Sequence, residues 1–411
     1  MNKQEFETGD QVRCSLDGCQ CEGTYITARD GMATVKLTSG YNIGIPSDSL
    51  TWLSTPEQVQ MDIQDVSQNT DLPLVSIVST GGTIASRIDY RTGAVTSQFR
   101  ATDILSAIPG LASLAQFRAV QLCNILSENM TPAIWQKLAR AVYDEISAGS
   151  GGVIVTHGTD TMAFSAAAIS FMVRSPVPVV FVGSQRSADR PSSDNVMNGM
   201  CAAAASLSEL GEVVVLMHAS TSDDKCVIHR GTRVRKMHTS RRDAFRTIGS
   251  DPVGTVDYPS LNVNLGPSAV KRGERDLAIF DKIEEHCGLI WYYPGMDPAI
   301  LSAWKGYKGI ILTGTGLGHV GTDFISRIKE MIADGTVFFM VSQCLNGRVC
   351  DRVYDTGRDL LSAGVIEGED LLPEVALVKL MWVLGQGYGP DETARLMREN
   401  LVGELNRRSR V

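Results

Sequence analysis

The sequence predicts an α/β protein in three parts: a small β-barrel module over residues 1–60, a parallel-sheet α/β domain over 73–270, and a smaller α/β domain over 286–411. Three observations predict it. The first sixty residues are short β-rich runs without a helical period. From Pro73 onward, strand-like runs alternate with helical ones. After a loop-rich stretch at about 248–285, the alternation resumes and continues to the C-terminus. Such alternation marks a parallel sheet covered by helices, because parallel neighbours must be joined by a crossover.

In the first module, "GDQVRCSLDGCQCEGTYITARDGMATVKLTSGYNIGIPSDSLTWL" is broken by Asp-Gly and Ser-Gly dipeptides at intervals of about ten residues, the spacing of hairpin turns. Five short strands of this kind make a small, SH3-like barrel. Residues 54–72 are polar and acidic and read as a linker. The parallel-sheet domain has predicted strands at 74–79, 153–156, 177–182 and 213–218. Helical runs lie between them at 161–173 and 194–210, rich in small residues that allow close packing on a sheet. The last domain has predicted strands at 288–293, 309–314 and 337–342, and no repeat of 20–50 residues is visible.

Composition narrows the function classes. A net charge of −8 argues against a generic nucleic-acid binder. There is no apolar run of 18 residues, and the start "MNKQEFETGDQV" has no apolar signal core, which predicts a cytoplasmic protein. The nine cysteines are scattered without a C-x-x-C and read as reduced thiols. Cys14, Cys19 and Cys21 lack a fourth zinc ligand nearby, and the six histidines form no H-x-x-x-H pair, so no metal is expected.

The chemistry concentrates where predicted strands end. "STGGTIAS" (79–86), "VTHGTDTM" (155–162) and "VGSQRSADRPSSDN" (182–195) are rich in glycine and hydroxyls. In open parallel sheets ligands bind outside the carboxyl ends of strands, where glycines let the backbone approach and free N–H groups can hold an oxyanion. Taken singly, Gly81, Gly82 and Gly158 need only be tight turns. Together the loops bring Thr83, Thr159 and Asp160 to one sheet edge. A threonine hydroxyl needs a base, and an ordinary carboxylate such as Asp160 is too weak to serve efficiently. A lysine in an enclosed site would serve better, and Lys236 in "RGTRVRKMHTSRRDAF" (230–245) is the candidate. The same block holds Arg230, Arg233, Arg235, Arg241 and Arg242, so a solvated basic face explains it equally well on spacing alone.

Two rival motifs are weaker. "GLGHVG" (316–321) fits the dinucleotide pattern G-x-G-x-x-G, but the following strand, in "TVFFMVSQCLNG", ends without the acidic residue that would hold a ribose. It reads instead as a turn packing the last domain on the preceding one. His157 and Ser165 lack the G-x-S-x-G elbow of a serine hydrolase, and His157 reads as a structural hydrogen-bonding residue.

At these residues the chain resembles a known family. "TGGTIAS", "THGTDTM" and "VRKMHTSRRDAF" are similar to the signature blocks of the L-asparaginase/glutaminase-type amidohydrolases, and "KLMWVLG" (379–385) fits that family too. "TGGTIASRIDYRTGAV" (80–95), "LSENMTP" (126–132), "VGSQRSADRPSSD" (182–194) and the N-terminal module resemble the branch that works in archaeal glutamyl-tRNA(Gln) amidotransferases. The resemblance implies a two-domain asparaginase-like α/β fold. It places Thr83 as the nucleophile, Thr159 and Asp160 as the second threonine and its carboxylate, and Lys236 as the lysine of the set. Tyr90 would orient the nucleophile, Ser127 and Glu128 would hold the substrate's amino-acid end, and Gly82 and Gly158 would line the substrate. The hydroxyl would attack a glutamine or asparagine side-chain amide; the sequence leaves open which threonine attacks first.

For that branch the resemblance further implies a partner, the amidotransferase protein GatE. The partner would receive the ammonia and use ATP and Mg to amidate glutamate on misacylated tRNA(Gln). This chain would need no cofactor, would meet tRNA mainly through the partner, and would form a homodimer core in an α2β2 assembly. A free-standing cytoplasmic asparaginase and a non-catalytic scaffold for tRNA or a partner are the alternatives. The N-terminal module and the arginine-rich block at 230–246 favour the scaffold.

Overall fold

A computed structural model describes residues 6–7, 9–16, 18–37, 41–55, 68–81, 87–88, 95–96, 108, 110–187 and 192–408. The N-terminal module has strands β1 (Gln11–Leu16), β2 (Cys19–Arg29), β3 (Met32–Leu37), β4 (Asn42–Pro46) and β5 (Thr51–Ser54). They form one antiparallel sheet in the order β4-β3-β2-β1-β5. The long strand β2 pairs with β1 through residues 19–24 and with β3 through 23–29, and its register slips between Tyr25 and Thr27. A slip of that kind bends a strand, so the sheet rolls around Val12, Cys14, Ala33, Val35, Ile45 and Leu50. Among the described residues no ladder joins β4 to β5, so the predicted barrel is a rolled sheet left open along one seam. Most of the predicted linker, 56–67, lies outside the described residues.

The next domain is built on eight strands. They are β6 (Leu74–Gly81), β7 (Gln116–Ile125), β8 (Val153–Thr156), β9 (Val179–Val182), β10 (Val213–His218), β11 (Lys225–Arg230), and, beyond a hairpin described below, β14 (Gly254–Asp257) and β15 (Val263–Leu265). Their order is β15-β14-β11-β10-β9-β8-β6-β7; the five from β10 to β7 run parallel and the other three antiparallel. Strands β8, β9 and β10 are buried along their whole length, as covered parallel strands are, and their unbroken apolar runs made them legible. Sequence reading missed β7, whose "QFRAVQLCNI" carries arginine, glutamine and asparagine because it forms the sheet's edge. It also missed helix α1 (Pro132–Ser147), despite proline at its first position and a Thr131 hydroxyl that accepts from the Ile134 N–H.

Helices α2 (Met162–Met172) and α3 (Asn195–Ser206) cover opposite faces of this sheet. Apart from Phe164, α2 is buried all round, because a helix of the last domain lies on its outer side. That domain has a four-stranded parallel sheet in the order β16 (Cys287–Trp291), β17 (Gly309–Gly314), β18 (Val337–Ser342) and β19 (Ile366–Glu367). Its helices are α4 (Phe324–Ala333), α5 (Asp355–Ala363), α6 (Pro373–Gly385) and α7 (Pro390–Arg398). Val155 and Phe171 of one domain join Ile311 and Leu380 of the other in a single apolar core. The G-x-G-x-x-G stretch differs from its expected place. It makes a tight turn with the Thr315 N–H donating to the His319 carbonyl, and a Cβ on Gly318 would lie 2.8 Å from Asp351 and Val349. It packs within its own domain, leaves no room for a pyrophosphate, and does not bear on the preceding one.

Candidate active site

Strand β6 delivers the first loop. Its last residue, Gly81, has φ +107, and a Cβ there would stand 2.7 Å from the Ile125 carbonyl oxygen and 2.9 Å from the Ile125 nitrogen. Only glycine lets β6 turn while pressed against the end of β7. Thr80 Oγ1 donates to the Thr156 carbonyl at 2.9 Å, tying the ends of β6 and β8 together. Gly82, Thr83 and Tyr90 lie outside the described residues.

Strand β7 runs into a 3₁₀ turn, Ser127–Asn129, in which Ser127 is buried and Glu128 exposed. Thr161 Oγ1 donates to the Ser127 carbonyl at 2.7 Å, and a Cβ on Gly158 would lie 2.7 Å from Ser127 Cβ and 2.9 Å from its Oγ. Ser127 thus backs the loop that follows β8. Gly158→Ala is expected to push the two apart, costing about 1–3 kcal/mol of stability by overpacking and lowering kcat/KM for amide hydrolysis. Denaturant titration and ammonia release check it.

After β8 come His157, Gly158, Thr159 and Asp160. His157 Nδ1 lies 2.7 Å from the Gly158 carbonyl, which can only accept, so Nδ1 carries the hydrogen. Nε2 is buried without a partner, and burial pushes the pKa of His157 down to about 4. A neutral ring held this way is a spacer. Ser165, the other half of the serine-hydrolase pattern, accepts from Trp135 Nε1 at 2.9 Å.

Lys236 arrives from a different direction. A separate antiparallel hairpin, β12 (Val234–Lys236) with β13 (Phe245–Thr247), carries it at the end of β12. Its Nζ donates to Thr159 Oγ1 at 2.8 Å and to Asp160 Oδ1 at 2.7 Å, across 77 and 76 residues of chain. The lysine side chain is 14% exposed and Asp160 69%, so the ion pair sits at a mouth open to solvent on one side. Such a pair adds little stability. It does orient an amine against a hydroxyl, the arrangement needed to exchange a proton between them.

The rest of the basic block does not form a basic face. Arg230 pairs with Glu212 at 2.7 Å, Arg233 with Asp370 at 2.7 Å, Arg235 with Glu374 at 3.4 Å, Arg241 with Asp243 at 2.8 Å, and Arg242 with Asp223. Each charge is answered by a carboxylate, so the block offers no surplus for phosphates.

Two family models cover this architecture: "Asparaginase, N-terminal" matches residues 74–269 and "Glutaminase/Asparaginase C-terminal domain" matches 286–397. The chain belongs to the asparaginase family. Among solved asparaginase-family structures, the thermostable L-asparaginase from Thermococcus kodakarensis superposes with a TM-score of 0.72 at 28% identity, covering 81% of this chain and 99% of its own. A probable cytoplasmic L-asparaginase from Campylobacter jejuni gives 0.67 at 25%, covering 80% and 100%. Curated relatives extend the match. A Methanosarcina mazei protein, named as the GatD component of glutamyl-tRNA(Gln) amidotransferase, is 53% identical over 98% of this chain and 99% of its own. One of the same name from Archaeoglobus fulgidus is 52% identical over 97% and 95%. The likeness to these asparaginase-family members therefore takes in the N-terminal sheet, which lies outside both family models.

Buried histidines give the protein a pH dependence. His229 is fully buried with Nδ1 2.7 Å from Thr247 Oγ1, and burial, with Arg246 nearby, pushes its pKa down to about 3. Unfolded, it takes a proton near pH 6.5; folded, it does not. Its contribution is therefore complete above 6.5 and is lost as pH falls, by about 2 kcal/mol at pH 5. Asp351 works in the opposite sense, since burial beside Glu367 pushes it up to about 7. The check is therefore differential: between pH 7 and 5, His229→Gln is expected to lose about 2 kcal/mol less than wild type in urea titrations.

Proposed function

We propose that this chain is the glutaminase component of a tRNA-dependent amidotransferase, hydrolysing a glutamine side-chain amide to supply ammonia for the conversion of Glu-tRNA(Gln) to Gln-tRNA(Gln). One observation carries the chemistry: Lys236 Nζ bridges the Thr159 hydroxyl and the Asp160 carboxylate beside the turn at the end of β6. The full-length likeness to proteins named as GatD carries the context.

In this reading the Thr83 hydroxyl attacks the amide carbon, and backbone N–H groups of the glycine loops stabilise the oxyanion, each such donor contributing about 2.7–4 kcal/mol. The C–N bond breaks, the hydroxyl's proton leaves with ammonia, and an ester to Thr83 remains. Water attacks the ester, its proton passing through Thr159 to Lys236, and the carboxylate departs. Ser127, Glu128 and Tyr90 hold the substrate's amino-acid end and orient the nucleophile, with Gly82 and Gly158 close to it. The chain itself needs no metal or cofactor; the partner, GatE, uses ATP and Mg. A homodimer of this chain carries two such partners in the cytoplasm, and no helix among the described residues is long and apolar enough to cross a membrane.

The test is ammonia release from glutamine and from asparagine, by the chain alone and with GatE and misacylated tRNA(Gln). Glutamine turnover that rises with the partner and tRNA is expected. Full asparagine turnover by the chain alone would make it a free-standing asparaginase, and no turnover under any condition would make it a scaffold.

A further inference from the structure

A line of buried polar side chains runs behind the site and serves none of the steps above. Asp194, fully buried just before α3, accepts from Ser184 Oγ at 2.7 Å, from the N–H groups of Gln185 at 3.0 Å and Arg186 at 2.9 Å, and from Asn198 Nδ2 at 2.9 Å. It thereby holds the turn that follows β9. Gly183 begins that turn and lies against Thr159: a Cβ on it would stand 2.9 Å from the Thr159 methyl carbon. Asn198 Nδ2 also donates to the Gly183 carbonyl at 3.0 Å.

With its amide nitrogen donating on both sides, Asn198 must present Oδ1 as acceptor. His218 Nδ1, 2.6 Å away, therefore carries a hydrogen. The other ring nitrogen, Nε2, lies 3.2 Å from Asp223 Oδ1. Asp223 in turn pairs with Arg242, which lies in the turn of the hairpin that begins with Lys236. His218 is fully buried at the end of β10. One arm of it reaches the turn behind Thr159, and the other reaches the hairpin that carries Lys236.

We propose that His218 is a positioning residue: it ties the Thr159 wall to the Lys236 wall and so sets the distance between hydroxyl and amine. The inference rests on the functional reading above, but its structural half can be tested apart from it. The groups facing the ring are Asn198, Asp194, the Cys226 thiol on the same Asn198 oxygen, Asp223 and Arg242. Burial lowers the pKa of the imidazole while the Asp223 and Asp194 carboxylates oppose the fall. The Nε2 proton is thus the labile one, and the Asp223 arm is the one that weakens as pH rises.

Asparagine can mimic Nδ1 and glutamine Nε2, so the two arms are separable. The experiment measures kcat and KM for glutamine in wild type, His218→Ala, His218→Asn and His218→Gln. Amide hydrogen exchange over 183–187 and 236–244 and a melting curve accompany each. In His218→Ala, kcat is expected to fall at least tenfold with KM within twofold, and exchange to quicken in both segments. His218→Asn should restore protection at 183–187 only, and His218→Gln at 236–244 only. An unchanged kcat in a folded His218→Ala overturns the proposal, as does exchange that rises evenly along β10 and β11 with a matching fall in melting temperature. If wild type releases no ammonia, the functional reading fails, and the exchange pattern still decides the coupling.

Discussion

Lys236→Met lowers ammonia release from glutamine by about 10²–10⁴-fold, the range supplied by a positioned proton-transfer group. Methionine keeps most of the stem's volume in a site where the lysine is 14% exposed, so packing is retained while the amine is removed. Asp160 loses its partner, but at 69% exposure it is solvated by water, and stability should change by less than about 1 kcal/mol. Steady-state kinetics with a denaturant titration of the same sample separates the two effects. Turnover within threefold of wild type would remove Lys236 from the mechanism.

The largest effect on stability is expected at a different lysine. Lys379, on α6, and Glu404 are both wholly buried and pair at 2.7 Å. Lys379 Nζ also donates to the Met397 and Glu399 carbonyls, and Glu404 accepts from the N–H groups of Leu401 and Val402. The pair pins the C-terminal segment 397–404 to α6. Burial lowers the pKa of Lys379 and the Glu404 carboxylate opposes the shift. Lys379→Met leaves that carboxylate buried and uncompensated, and about 3–5 kcal/mol of stability should be lost. Lys379→Met combined with Glu404→Leu should recover much of it, since an apolar replacement of a buried pair can be nearly neutral. A single variant within about 1 kcal/mol of wild type in a urea titration would show that the pair can be dispensed with.

These two lysines mark the limit of sequence reading. Lys379 opens "KLMWVLG", an apolar helical run whose first residue looks like any solvated lysine at a helix face. Lys236 stands among five arginines, and only resemblance to a family distinguished it. Each of those arginines meets a carboxylate, some far away in the chain: Asp370 is 137 residues from Arg233. Nothing in the block's own composition reports that cancellation. Conversely, the interior strands were legible because a covered parallel strand is apolar on both faces, whereas β7, with one edge free, tolerates polar residues and was overlooked.

By itself, then, the sequence determined the order of strand and helix, the turns that demand glycine, the family, and the loops in which its chemistry resides. These follow from backbone sterics and side-chain periodicity, which act over a few residues. Folding alone decided that Lys236 meets Thr159 and Asp160, that His218 stands between two walls of the site, and that the arginines are neutralised. Those outcomes are contacts across tens to hundreds of residues, created when the sheets and helices pack, and a local pattern carries no record of which distant partner packing will bring.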